Sequence, residues 1–67
     1  MTYTVQGFLS FDDMEAKRPA LTEVFRTEPG ETYTAKIRAE ARRRRLAYHR
    51  AGEPDYTHIT CRYTPDA

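Results

Sequence analysis

Apolar and polar residues alternate at both ends of the chain and follow a different rhythm in between. From residue 2 to residue 11 (TYTVQGFLSF), Tyr3, Val5, Leu9 and Phe11 fall on one alternating face. β-branched and aromatic types dominate the stretch, which predicts a strand. Gly7 lies on that same face, where a missing side chain signals a bulge or a close neighbour, and Phe8 points to the opposite side. Residues 55 to 64 repeat the pattern: Thr57, Ile59, Cys61 and Tyr63 alternate with Tyr56, His58, Thr60 and Arg62. This is a second half-buried strand, closed by Pro65, with Asp66 and Ala67 as a frayed end.

Between the strands the period lengthens. Ser10 followed by Asp12, Asp13 and Glu15 suits the positive end of a helix, but Pro19 limits it to one or two turns. Leu21, Val24 and Phe25 are spaced i, i+3, i+4, which favours a helical face over a strand for residues 21 to 26. Residues 31 to 39 admit two readings. Strict alternation after Pro29-Gly30 fits the second arm of a hairpin. The competing helix starts with Pro29 in its first turn and Glu31 in its early positions, and aligns Tyr33, Ile37, Ala41 and Tyr48 on one face. The helix is preferred because Ala, Glu, Lys and Arg dominate from Ala35 onwards and propagate helix well. In either reading residues 39 to 51 are helical, with Gly52 at C′ and Pro54 beyond.

These elements predict an α+β fold, a single small domain over residues 1 to 67. The N- and C-terminal strands pair in an antiparallel sheet, and a basic helix packs its Ile37, Ala41 and Tyr48 stripe across one face. A third strand or a short extra helix completes it. Leu, Ile, Val and Phe supply only ten residues of 67, below the roughly 20% typical of folded chains. A chain of this size buries only about 60% of its unfolded surface, so the core is small. Two strands alone are marginal, which makes a homodimer through a sheet edge one route to stability.

Charge changes this picture more than composition does. Residues 36 to 50 hold seven basic residues and one acidic, a local charge of +6, while the remainder carries four basic against nine acidic, a charge of −5. The basic segment contains four consecutive arginines, Arg42 to Arg45. At 100° per residue a helix distributes them around its circumference: Arg38, Arg42, Arg45 and His49 share a sector about 60° wide. Arg43 and Arg50 form a flank, and Arg44 is placed to meet Glu40. The leading expectation is a non-enzymatic module that binds the nucleic-acid phosphate backbone through Arg38, Arg42, Arg43, Arg45, His49 and Arg50. The alternative is protein recognition, with Tyr48 and Tyr56 as interface aromatics among the arginines. Such a chain acts as a small regulator or inhibitor, of the kind phages and mobile elements carry, by occluding a larger partner.

No catalytic, metal or cofactor motif emerges, and the expectation is that the protein is not an enzyme and holds no metal or cofactor. His58 and Cys61 face opposite sides of a strand and cannot serve as base and nucleophile. His49, Asp55, His58 and Cys61 lack zinc-ligand spacing, and Asp12, Asp13 and Glu15 diverge too much for a cation. Cys61 is the sole cysteine, so no internal disulfide forms and a cytoplasmic location is expected. No run of apolar residues is long enough to span a membrane.

Overall fold

The computed structural model describes residues 1–28, 30–31 and 33–65. Pro29 and Thr32, read above as part of a hairpin or helix start, and Asp66-Ala67, read as a frayed end, lie outside the described residues. The elements in order are β1 (Thr2–Phe8), α1 (Phe11–Glu15), β2 (Leu21–Arg26), α2 (Thr34–Leu46) and β3 (His58–Thr64). β1 is the central strand of a three-stranded sheet of order β2-β1-β3, antiparallel on both sides. The fold is therefore the expected α+β domain, in which the first and last strands pair and both a third strand and a short extra helix are present.

Register fixes which residues share a face, because directly opposed residues in an antiparallel ladder point the same way. Val5 stands between Glu23 and Cys61, Tyr3 between Phe25 and Tyr63, and Gly7 between Leu21 and Ile59. These form the face under α2. Gly7 is needed there: a Cβ at this position would lie 2.7 Å from Cδ1 of the Tyr56 ring, which covers it. The close neighbour that the sequence implied is thus Tyr56.

Residues 21 to 26 are a strand, not the expected helical turn. Leu21, Glu23 and Phe25 turn inward, and Thr22, Val24 and Arg26 turn outward. The i, i+3, i+4 spacing misled because a carboxylate occupies an inward position and Val24, 52% exposed, an outward one. α1 is capped by Ser10, whose Oγ accepts from the Asp13 amide at 3.1 Å, with Asp12 and Asp13 in its first turn. It ends before Pro19, and the Ala20 amide then donates to the Gly7 carbonyl at 2.9 Å to start β2.

The helix forms where it was preferred, but on a different face. Its buried residues are Ala35, Ala39 and Leu46, whereas Ile37 is 62% exposed, Tyr48 75% exposed and Ala41 exposed. The expected Ile37, Ala41, Tyr48 stripe therefore faces outward. Small side chains at 35 and 39 let the helix backbone settle close to the sheet, and Leu46 completes a cluster with Val5 and Ala39, ringed by Tyr3, Leu21, Phe25, Tyr56, Ile59 and Cys61. The helix also stops earlier than expected, at Leu46 with Ala47 as its cap. Gly52, at φ 85°, serves a turn in the following connection and not a helix C′ position.

Candidate functional site

α2 divides its cations between two surfaces, and the division follows from its rotation on the sheet. Arg42 lies one turn from Ala39 and one from Leu46, so it points along the buried stripe toward β2. There its Nε donates to both carboxylate oxygens of Glu23 at 3.0 Å, and Nη2 lies 2.8 Å from Oε1. The charged hydrogen bond to Glu23 raises the Arg42 pKa further above its ordinary value, against the opposing effect of burial. Both side chains remain about one-third exposed, so the pair contributes about 1 kcal/mol, with its forked geometry favouring the upper part of the range for surface pairs.

Arg45 is the second tie. Its Nη2 reaches Glu53 Oε1 at 2.6 Å and its Nη1 donates to the Tyr48 carbonyl at 3.3 Å. His49 Nε2 donates to the Glu53 carbonyl at 3.0 Å. Together they fold the connection after α2 back along the helix end, which explains why the helix does not run on to residue 51. The hydrogen bond from Arg45 holds the Glu53 carboxyl below the usual carboxylate range against an opposing effect of burial, with lesser Coulombic help from Arg45, Arg50 and Arg42.

A depressed folded pKa has a defined consequence for acid stability. The contribution is fully present above the unfolded glutamate value, about 4.3, and is lost as pH falls through the lower folded value. Urea denaturation across that window is expected to show wild type losing its advantage over Glu53→Gln as the solution is acidified. A gap unchanged by pH would contradict the pairing.

Of the residues expected to form one binding face, then, Arg42, Arg45 and His49 are engaged internally, while Arg38, Arg43 and Arg50 are exposed and form no ion pair among the described residues. Arg44 is exposed as well and makes no ion pair with Glu40. Tyr56 is not a free interface aromatic: it is half-buried against Gly7 and the core. Lys36 and Arg44 were missed as surface candidates, and Glu23 and Glu53 as the carboxylates that claim the inner arginines. A glutamate at the centre of a strand was the signal for the first.

The exposed circumference of α2 thus carries Lys36 and Arg43 on one flank, Arg44 near its outermost line and Arg38 on the other flank, with Glu40 as the one acid on the helix, and Ile37 and the flanking Tyr33 and Tyr48 are exposed as well. Tyr33 holds a left-handed φ of 62° at the helix start without a side-chain cap. The first turn is fastened instead by the Ala35 amide, which donates to Thr27 Oγ1 at 3.2 Å. Among the described residues no group of three His, Cys, Asp or Glu side chains is placed to hold a metal ion. No described helix is long and apolar enough to cross a membrane. Comparison with protein-family models, curated proteins and solved structures returns no match.

Proposed function

We propose that this protein is a small non-enzymatic binding module that holds the phosphate backbone of a nucleic acid against the outward surface of α2. One observation carries the reading: the helix's two inward arginines are neutralised by Glu23 and Glu53, whereas Lys36, Arg38, Arg43 and Arg44 project outward without ion pairs among the described residues. A concentrated positive surface on a chain that is otherwise acidic attracts polyanions and orients them. The contacting residues are Lys36, Arg43 and Arg44, flanked by Arg38 on the other side of the helix and by Arg50 beyond its C-terminal end. Tyr33 and Tyr48 supply flat surfaces on which exposed bases can stack.

The test is the salt dependence of binding. Engagement of about four phosphates gives a slope of log affinity against log salt near −3 to −4 on a duplex and a shallower one on a single strand. Fluorescence anisotropy with labelled DNA and RNA, in duplex and single-stranded form, reads this directly. Absence of binding at low salt would overturn the proposal.

A second reading rests on a separate observation. Ile37 on α2 and Tyr33 and Tyr48 at its two ends are all more than half exposed, and arginine with tyrosine is the pairing enriched at protein interfaces. In that case the module occludes an acidic surface of a larger protein as a regulator or inhibitor. Binding then falls with Ile37→Ser, an uncharged change that barely affects a contact made by phosphates.

A further inference from the structure

The sheet face turned away from α2 carries polar side chains in a fixed row. Gln6 of β1 stands between Thr22 and Thr60, and Arg62 follows two residues beyond Thr60 on β3. Where α1 and the turn after it rest on this face, a depression of about 240 Å³ opens, lined by Gln6, Phe8, Met14, Lys17, Thr60 and Arg62.

Two features of this depression are unexplained by the fold. The Thr60 hydroxyl is buried and has no hydrogen-bond partner among the described residues, a condition that folded proteins avoid unless something else satisfies the group. Lys17 and Arg62 border the depression without an ion pair among the described residues, and the Asp13 carboxylate is taken by Arg18 at 3.5 Å. Lys17 stands at φ 56° as the left-handed residue that closes α1, its amide donating to the Met14 carbonyl at 3.1 Å and the Arg18 amide to the Asp13 carbonyl at 2.9 Å, and this cap sets its side chain at the edge of the depression.

The lining sets the chemistry. Phe8 and Met14 supply the apolar part of the lining, and two cations, a hydroxyl and an amide supply the polar part. The volume is below the roughly 300–1,000 Å³ of sites for drug-sized molecules, which restricts the occupant to a fragment. The cations sit on side-chain stems, without the run of backbone N–H groups that cradles a phosphate, so a singly charged acid fits better than a dianion. We infer that this depression binds a small monocarboxylate with a compact apolar body. Its carboxylate lies between Lys17 and Arg62, Thr60 donates its otherwise idle hydroxyl, and the body rests on Phe8 and Met14. The site is separate from the α2 surface and does not depend on what that surface binds.

Titration of the full chain with hydrocinnamate, followed by two-dimensional NMR of the backbone amides, tests this. Saturable shifts are expected at Lys17, Thr60 and Arg62 with half-saturation at about 1 mM, ordinary for a fragment of this size. Hydrocinnamyl alcohol, which keeps the body and lacks the charge, is expected to bind about tenfold more weakly, as is the Lys17→Gln, Arg62→Gln double variant. Lys17→Gly removes the cation while relieving the left-handed φ, so loss of binding in that variant cannot be ascribed to unfolding. Absence of saturable shifts up to about 10 mM, equal binding of the alcohol, inorganic phosphate matching hydrocinnamate, or shifts centred on α2 would each overturn the inference.

Discussion

Truncation of Leu46 to alanine is expected to destabilise the domain by about 2–4 kcal/mol, the usual cost of removing a buried leucine and leaving a cavity. The effect is large relative to the whole. Only Val5, Phe8, Ala35, Ala39 and Leu46 are buried apolar side chains among the described residues, and a core this small supplies about 3–5 kcal/mol in total. The variant is thus expected to be substantially unfolded at physiological temperature. Ile37→Ser removes a side chain of equal size from the same helix, yet Ile37 is largely exposed, so its cost should stay within about 0.5 kcal/mol. Urea denaturation of the two variants side by side measures the contrast. Comparable losses would mean that the helix is rotated relative to the sheet.

That contrast also marks where the sequence ceases to be legible. The terminal strands were readable because β1 and β3 alternate types on faces that differ in environment, and Gly7 signalled a bulge or a close neighbour, of which the structure shows the second. The buried stripe of α2 was not. Its members are two alanines, a leucine and Arg42, which together look less hydrophobic than the outward Tyr33, Ile37, Ala41 and Tyr48. The strand β2 was hidden for the same reason seen from the other side: Glu23 sits where an apolar residue was expected. Each anomaly explains the other, since the inward carboxylate and the inward guanidinium neutralise one another. A pairing across 19 positions has no local signature, and neither periodicity nor propensity could supply it. The early helix end was hidden likewise, because it depends on Arg45 and His49 reaching forward to Glu53. The candidate site was accordingly legible as a charged helix but not as a face.

Reversing the charge of the outer arginines is expected to have the largest effect on binding. Arg43→Glu with Arg44→Glu changes the local charge by four units and places carboxylates where phosphates would lie. A loss of about 100-fold or more in affinity for nucleic acid is expected at low salt, shrinking as salt rises, because counterion release scales with the number of cations engaged. Stability should barely change, since both side chains are exposed and unpaired among the described residues. Arg42→Gln should do the opposite. It breaks the tie to Glu23 and lowers stability by about 1 kcal/mol, while the folded variant keeps nearly full affinity. Anisotropy titration combined with thermal denaturation separates the two effects, and affinity lost equally in both variants would contradict the division of the helix.

The division of the α2 cations into inward ties and an outward binding surface is tested most directly by NMR of the arginine Nε–H groups during titration with a short nucleic-acid duplex. In the free protein, Arg42 and Arg45 should give displaced signals, Arg42 through its Nε hydrogen bonds to Glu23 and Arg45 through its ordered guanidinium at Glu53, and added duplex should leave them in place. Arg38, Arg43 and Arg44 should start near the position of solvated arginine and move together as duplex is added. Movement of Arg42 and Arg45 along with the others, or no movement of the outer three, would contradict the account.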